Sequence, residues 1–167
     1  MKIRKTPTWQ NTIKKYISHP VRYFYPENLE DIIEIVNEAE ANAVKIKAVG
    51  AGHSFSDIAV TNDYFIDLEH LDEVNVPDLS LIKNEFHATP LIEAQGGISL
   101  HDLNLKLDSF GKALINMGGI DHQTLAGVIA TATHGTGKTL PSIPGFVRSM
   151  TIVISGGKVI RLEQANG

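Results

Sequence analysis

The clearest hydrophobic periodicity in the chain begins just after Asn28 and ends near Asn42. Apolar residues recur there at a spacing of three or four positions, namely at Leu29, Ile32, Ile33, Val36 and Ala39. This spacing predicts an amphipathic helix with one buried face. Asn28 is the expected N-cap, Asp31 favours the positive helix end, and Asn42 is expected to end the helix.

A strand is predicted immediately after this helix. From Val44 to Val49, apolar residues alternate with Lys45 and Lys47, which is typical of a short strand with one buried face. The strand leads directly into a glycine turn at residues 50–54. A helix, a strand and a glycine turn in this order indicate an α/β unit, in which ligands lie beyond the carboxyl end of the strand.

The central part of the chain predicts more strands and a second helix. Strands are expected at Tyr64–Leu68 and near Leu81–Ile82, and Glu85–Glu93 has room for one or two more. Ser99 is the expected N-cap of a helix that ends at Gly111. Its apolar face consists of Leu100, Leu103, Leu107 and Phe110.

The two ends of the chain have different patterns. Residues 1–25 mix aromatic and basic side chains, and we expect them to form an arm along the surface of the domain. At the other end, apolar runs at residues 147–155 and 158–162 flank Gly156 and Gly157. Two such runs around a glycine pair predict a β-hairpin with a primed turn.

The composition excludes several classes of protein. The chain has 167 residues, of which 43% are apolar and 20% are charged, as expected for a globular domain. A net charge of -4 without a cluster of Lys or Arg disfavours nucleic acid as a partner. The absence of cysteine excludes disulfides and thiolate metal sites. No apolar stretch approaches the ~20 residues of a membrane span, so we expect a cytoplasmic protein without one.

The first candidate for chemistry is the glycine turn after the predicted strand, which reads Gly50-Ala51-Gly52-His53-Ser54. Two glycines one residue apart let the backbone turn sharply and approach a ligand closely. Consecutive amides in such a turn suit a pyrophosphate. Residue 55 is not glycine, so this is not the nicotinamide fingerprint, and taken alone the turn also fits a purely structural role.

The second candidate is the segment Thr131–Gly137, in which small hydroxylated residues alternate with Ala and Gly. Such a segment can lie flat against a planar, phosphorylated ligand because no bulky side chain holds the ligand away. A tight crossing inside the core requires the same small residues. The segment alone does not distinguish these two roles.

The seven histidines form no recognisable catalytic or metal-binding motif. No compact set of three or four ligands exists, so we predict no metal site. The chain also lacks the serine motif of α/β-hydrolases. We therefore assign no catalytic residue from the sequence.

Taken together, the two glycine-rich motifs resemble the FAD-binding domain of the vanillyl-alcohol oxidase superfamily, which is of the PCMH type. The resemblance rests on residues 49–57 and 124–137, in that order and with a matching intervening length. It is strongest to the L-gulonolactone, D-arabinono-1,4-lactone and alditol oxidases. It extends from about Trp9 to the end of the chain.

The resemblance implies an α+β fold of two subdomains with FAD between them. The first subdomain would span residues 26–74 and the second residues 75–167. The implied FAD-binding residues are Gly50, Ala51, Gly52, His53, Ser54, Gly118, Gly119, Thr124, Gly127, Thr131, Ala132, Thr133, His134 and Gly135. In many members of the family, the histidine that corresponds to His53 is joined covalently to the 8α carbon of the flavin.

The family pattern is incomplete in this chain. Family enzymes carry a second large domain that binds the substrate, and a further glycine-rich strand follows their hairpin. Neither has a counterpart in the sequence, which implies a C-terminally truncated domain without a substrate domain. The flavin-side surface would then be exposed, available to the missing domain or to self-association.

Two functions stay open at this point. The chain is either the FAD-binding portion of an oxidoreductase that oxidises a sugar lactone or an alditol, or a non-catalytic FAD-binding or interaction module. The family reaction transfers a hydride from a substrate carbinol carbon to flavin N5, with reoxidation by oxygen or another acceptor. We expect the isolated chain to have little activity of its own.

Overall fold

The computed structural model describes residues 2–4 and 8–163. The first half of the chain forms a four-stranded sheet, a small two-stranded hairpin and one long helix. The strands are β1 (Lys2–Arg4), β2 (Trp9–Gln10), β3 (Ile17–Ser18), β4 (Arg22–Tyr25), β5 (Ile46–Val49) and β6 (Tyr64–Asp67). The helix is α1 (Leu29–Ala41).

The four-stranded sheet has the order β1-β4-β6-β5. Strand β1 pairs antiparallel with β4, whereas β4 and β5 both run parallel to β6. Val49, the last residue of β5, lies opposite Asp67 of β6. The residues that follow β5 therefore leave the sheet at its carboxyl edge, where ligands of parallel sheets bind.

Helix α1 forms as its apolar spacing predicts. The side chain of Asn28 accepts a hydrogen bond from the Asp31 amide at its start, and Asn42 is its C-cap, so both predicted ends are confirmed. Ile35 and Ala39 are buried against Phe24 of the sheet. Burying a side chain such as Phe24 or Ile35 completely contributes about 1.5–3 kcal/mol.

The prediction of a surface arm over residues 1–25 is wrong for its last residues. Arg22–Tyr25 is an inner strand of the sheet, and Phe24 is completely buried. Trp9 is also buried, and its ring packs edge-on against Phe65 at 5.6 Å. The apolar bodies of these aromatic side chains outweigh the basic residues between them, because burial of large rings dominates core energetics.

In the second half of the chain, the residues up to 163 form two more α-helices and four more strands. The strands are β7 (Val74–Asn75), β8 (Glu93–Ala94), β9 (Ser149–Ile154) and β10 (Lys158–Glu163), and the helices are α2 (Leu100–Ser109) and α3 (Leu125–Ala130). Their core includes Ile98, Leu100, Leu103 and Val128. Within the described ranges, no helix is both long and apolar enough to cross a membrane.

Helix α2 confirms its predicted N-cap, because the Ser99 side chain accepts a hydrogen bond from the Asp102 amide. Leu100, Leu103 and Leu107 are buried, but Phe110 is the C-cap residue and is 39% exposed. Phe110 thus lies beyond the last regular turn of the helix, which takes it off the buried face.

The strand predicted near Leu81–Ile82 is not present. Leu79–Leu81 is a 3-10 turn whose cap, Asp78, accepts a hydrogen bond from the Ser80 amide. In Glu85–Glu93, residues 84–86 form another 3-10 turn, and only Glu93 belongs to a strand. Local side-chain to backbone bonds compete with strand pairing in such short apolar runs.

The predicted C-terminal hairpin is confirmed. Strands β9 and β10 pair over six residues, and both Gly156 and Gly157 have positive φ, as a primed turn requires. The turn lies on α1, where the Glu40 carboxylate accepts hydrogen bonds from Ser155 Oγ at 2.6 Å and Gly156 N at 2.8 Å. The hairpin therefore connects the second half of the chain to the first.

Candidate cofactor-binding site

The glycine turn, residues 50–54, follows β5 at the carboxyl edge of the sheet, and we call it the glycine loop. Its first residue lies against the second half of the chain. A Cβ atom on Gly50 would lie 2.3 Å from Thr124 Oγ1. Because no side chain fits in that space, glycine at position 50 brings the loop into direct contact with Thr124.

The backbone amides of the glycine loop are free of protein acceptors. Within the described residues, none of the amides of residues 50–55 donates a hydrogen bond. Gly52 has a φ of +71°, which lets the loop turn sharply. Successive amides in such a turn form a concave site for an anion.

Two side chains of the glycine loop add to these donors. Ser54 Oγ is 2.9 Å from Ser56 Oγ and accepts a hydrogen bond from the Ser56 amide. When Ser56 donates in the hydroxyl pair, the Ser54 proton stays available to a ligand. The imidazole of His53 is half-buried and has no hydrogen-bond partner among the described residues, so both ring nitrogens are available.

Thr124 is the N-cap of α3 and lies beside Gly127, where a Cβ would be 3.0 Å from its Oγ1. The helix is followed by the predicted ligand segment. Thr131 Oγ1 donates to Gly127 O at 2.9 Å and lies 3.2 Å from Thr133 Oγ1. Ala132 between them has a φ of 52°. The chain therefore turns sharply after α3, with its hydroxyl groups bound to each other and to the end of the helix.

The predicted residues Gly118, Gly119, His134 and Gly135 lie in two segments that pack together. A Cβ on Gly118 would lie 3.3 Å from Thr133 Cγ2, and a Cβ on Gly135 would overlap Asn116 Oδ1 at 2.1 Å. His134 Nδ1 is 2.9 Å from Gly135 O. Gly119 is exposed, with open space where a side chain would project.

Two buried polar atoms in this region have no hydrogen-bond partner among the residues that the structure describes. They are Asn116 Nδ2 and Gln123 Oε1, and neither residue was among those predicted from the sequence. A buried polar atom without a partner costs about 1–3 kcal/mol unless a ligand or water satisfies it. Asn116 lies against Gly135, and Gln123 precedes Thr124, so both atoms belong to segments that carry predicted cofactor residues. The free loop amides are donors of the kind that suits a diphosphate.

The structure thus brings most of the predicted residues together in two groups. Gly50 and Gly127 both lie against Thr124, and Gly118 lies against Thr133 and His134. In the part of the chain that the structure describes, no hydrogen bond joins the glycine loop directly to Thr131–Gly135. The two groups are connected through α3.

The remaining predicted positions lie within these same segments. Ala51 and Gly52 offer their carbonyl oxygens to Thr12, and Ser54 offers its carbonyl oxygen to Asn11. Neither Asn11 nor Thr12 was predicted to belong to the site. Their sequence positions carry no local signal, since the contacts span about 40 residues.

A half-buried carboxyl group lies opposite the end of β5, next to the start of the glycine loop. Asp67, opposite Val49, accepts a hydrogen bond from Tyr23 Oη at 2.8 Å. Burial raises the pKa of Asp67 above its ordinary range, although the bond from Tyr23 acts in the opposite direction. Burial and the neighbouring carboxylate also raise the pKa of Tyr23, so its phenol stays protonated and donates.

The sequence matches a family profile and several curated proteins. A sequence profile of the family described as FAD binding domain matches residues 20–163. The chain is 30% identical over 161 residues to L-gulono-1,4-lactone dehydrogenase of Mycobacterium tuberculosis, covering 96% of this chain and 36% of that protein. It is 36% identical over 152 residues to L-gulonolactone oxidase of Scyliorhinus torazame, covering 91% and 33%. The chain therefore spans about a third of the length of these curated relatives.

Solved structures show the same fold. Cholesterol oxidase from B. sterolicum superposes with a TM-score of 0.77 at 20% identity, over 93% of this chain and 32% of that chain. Glucooligosaccharide oxidase from Acremonium strictum, described with a 6-S-cysteinyl, 8α-N1-histidyl FAD, gives a TM-score of 0.73 at 21% identity, over 87% and 30%. Since the profile match covers most of the chain, this protein belongs to the FAD binding domain family, as a PCMH-type α+β domain related to the sugar-lactone oxidases.

Proposed function

We propose that this chain is the FAD-binding portion of an oxidoreductase that oxidises a sugar lactone or an alditol. The observation that carries the proposal is the row of free amides in the glycine loop, next to Thr124 of the second half. The relatives named as acting on L-gulonolactone support the substrate class. Because the chain covers about a third of those relatives, we propose the activity for the whole protein.

The glycine loop is proposed to hold the diphosphate of FAD. Its consecutive amides provide donors without a side chain that would keep the phosphate groups at a distance. The Ser54 hydroxyl adds one donor from the same loop. The side chains of Asn116 and Gln123, each with one unpartnered buried atom, are proposed to bind polar atoms of the same cofactor.

His53 is proposed to be the point of covalent attachment to the flavin. Its ring nitrogens have no partner among the described residues, and it occupies the loop that holds the diphosphate in this proposal. A nucleophilic imidazole has to be neutral, with one nitrogen unprotonated. When bound, the isoalloxazine ring supplies the hydride-accepting chemistry, and the protein orients it.

Apolar side chains are exposed near these segments. Phe55 is 74% exposed, Ile115 68% and Ile120 45%. We propose that they pack against the substrate-binding part of the whole protein or, in the isolated chain, against a second copy. Light scattering at increasing protein concentration tests the second possibility, which predicts a rising apparent mass.

The test of the proposed function has two steps. The purified chain is first titrated with FAD, and saturable quenching of flavin fluorescence is expected. The whole protein is then mixed anaerobically with L-gulono-1,4-lactone. Bleaching of the visible flavin absorbance is expected, because the cofactor accepts the hydride. FAD binding without bleaching by any lactone or alditol would favour a non-catalytic module.

A further inference from the structure

The turn between β2 and β3 lies against the glycine loop and binds its carbonyl oxygens. Thr12 Oγ1 donates to Ala51 O at 3.3 Å, and Thr12 N donates to Gly52 O at 2.9 Å. Asn11 Nδ2 donates to Ser54 O at 3.0 Å. Two adjacent residues of one turn therefore hold three carbonyl groups of the loop.

These contacts fix the direction of the loop amides. All peptide bonds among the described residues are trans, and in a trans peptide the carbonyl of one residue and the amide of the next point in opposite directions. Since the three carbonyls face the turn, the amides of Gly52, His53 and Phe55 point away from it. The same three amides have no acceptor in the described part of the chain.

Asn11 is placed to hold this arrangement rigidly. It is 1% exposed, and its Oδ1 accepts hydrogen bonds from Lys15 N and Tyr16 N, both at 3.0 Å. One end of the side-chain amide thus closes the β2–β3 turn while the other end holds Ser54 O. A Cβ on Gly52 would lie 3.3 Å from Asn11 Cα, so the loop and the turn are in close contact.

The turn is itself fixed to the core of the first half. Trp9, at the start of the hairpin, is buried and packs edge-on against Phe65, which is completely buried. Trp9 also belongs to the cluster that contains Val49, the residue before the glycine loop. The hairpin and the strand that carries the loop therefore share one rigid support.

We propose that Asn11 is a positioning residue for cofactor binding, which orients the amides of the glycine loop toward the diphosphate of FAD. This inference rests on the proposed function, in which the glycine loop holds that diphosphate. Donors that are oriented before the ligand arrives improve its affinity because they lose little freedom on binding. Asn11 touches the loop from the side opposite these amides and is not itself a ligand contact.

The test exchanges Asn11 for aspartate. In Asn11→Asp, the carboxylate can still accept the Lys15 and Tyr16 amides, but the donor to Ser54 O is replaced by a charged oxygen that repels this carbonyl. Because a buried charge also repels a diphosphate directly, a loss in Asn11→Asp supports the inference only together with a loss in the uncharged Thr12→Val variant. We expect the Kd for FAD to rise about tenfold, as for the loss of one hydrogen bond. The Kd for riboflavin, which has no diphosphate, should stay at the wild-type value.

Thr12 provides a second variant and its matched control. Thr12→Val removes the hydroxyl donor to Ala51 O, lies outside the buried network of Asn11, and should raise the Kd for FAD about threefold. Thr12→Ser keeps the hydroxyl and should bind FAD like the wild type. Circular dichroism establishes that each variant is folded at the temperature of the titration.

A folded Asn11→Asp protein that binds FAD as tightly as the wild type would overturn the inference, as would equal losses for FAD and riboflavin. If Asn11→Asp does not fold, the Kd values of Thr12→Val and Thr12→Ser for FAD and riboflavin are compared instead. Equal FAD affinity of these two variants would then overturn the inference. Failure of the wild-type chain to bind FAD would instead contradict the proposed function itself.

Discussion

Thr124 is the residue through which the two halves of the candidate site meet. Its Oγ1 lies in the space that a side chain at Gly50 would need, and a Cβ on Gly127 would lie 3.0 Å from the same atom. The closeness of the two halves thus depends on two glycines that were predicted as ligand contacts. Their small size serves the packing of the protein as well as any contact with a cofactor.

At the residue scale, the role of His53 gives a direct prediction. In the whole protein purified with flavin bound, the yellow colour should stay with the polypeptide after denaturation, because the proposed bond is covalent. His53→Ala should release the colour, whereas His134→Ala, which changes another histidine of the candidate site, should retain it. Absorbance of the denatured, desalted polypeptide measures this, and loss of colour from the denatured wild type would refute the attachment.

The pair His101 and Asp121 predicts that the stability of the protein depends on pH. Their side chains are 2.9 Å apart, next to the segment that contains Gly118. The hydrogen bond and the charge of Asp121 raise the pKa of His101, and the bond to His101 lowers the pKa of Asp121. The His101 contribution to stability is therefore fully present below the ordinary histidine pKa and is lost as pH rises through the raised pKa. The Asp121 contribution is lost as pH falls through its lowered pKa.

Removing the carboxylate should reverse the effect on the histidine. In Asp121→Asn, the pKa of His101 should fall toward the ordinary histidine value near 6.5, because the negative charge is gone. Asp108→Asn changes an exposed carboxylate of α2, the helix that carries His101, and should leave the pKa of His101 raised. Titration of the His101 ring protons by NMR measures both, and an unchanged His101 pKa in Asp121→Asn would contradict the assigned cause.

Residue roles with a local cause could be predicted from the sequence, and those with a distant cause could not. Asn28 and Ser99 cap their helices because each side chain binds an amide three residues ahead. Asn11 binds Ser54, 43 residues away, so no neighbouring pattern reveals it. The segments at residues 50–54 and 131–137 were candidates by their glycine-rich pattern. The family resemblance assigned FAD to them, and their contact with FAD stays a prediction.

At the scale of elements, the confirmed predictions had a strong local signal. The two helices have long periodic apolar runs, and the C-terminal hairpin has a glycine pair at its turn. The strand expected near Leu81 failed because only three apolar residues support it and Asp78 caps a 3-10 turn instead. The strand Arg22–Tyr25 was missed because its basic neighbours obscured a buried aromatic run. A local cap decided the first case, whereas tertiary burial, which a single sequence does not display, decided the second.

The connection between elements at Gly97 gives a stability prediction. A Cβ at this position would lie 1.7 Å from Leu68 O and 2.9 Å from Leu71 O, so the backbone would have to move. Gly97→Ala should therefore lower the free energy of unfolding by about 3 kcal/mol, which corresponds to roughly 6–12 °C in melting temperature. Thermal denaturation measures this effect.

Gly119→Ala is the matched control for that substitution. No atom lies within 4 Å of a Cβ at Gly119, so its melting temperature should equal that of the wild type. A Gly97→Ala protein as stable as the wild type would show that the segments around Leu68 and Gly97 do not pack as described.

At the scale of the whole molecule, contacts at several places join the two halves. Thr124 meets the glycine loop, and the turn of the β9–β10 hairpin meets Glu40 of α1. The chain nevertheless covers 36% or less of the lactone dehydrogenase and lactone oxidase described above. We therefore expect a domain that folds around FAD but depends on further polypeptide for turnover.

This expectation can be measured as activity of the 167-residue chain. With FAD, an artificial electron acceptor and gulono-, galactono- or arabinono-lactone or alditols, we expect a rate far below the ~10 per second of a typical enzyme. Positioning and proton transfer supply much of an enzyme's rate, by about a hundredfold or more for proton transfer alone. A longer form of the protein, assayed in parallel, should turn over faster. Turnover near the typical value by the chain alone would contradict this expectation.

The central claim is that FAD binds across the glycine loop and the segments that follow α2 and α3. The most direct test is a titration of the isotope-labelled chain with FAD, followed by amide NMR signals. The largest shifts are expected at residues 50–55, 118–119 and 131–135, with little change in the strands of the β9–β10 hairpin. Saturable binding with shifts confined to other residues, or no binding at all, would contradict the account.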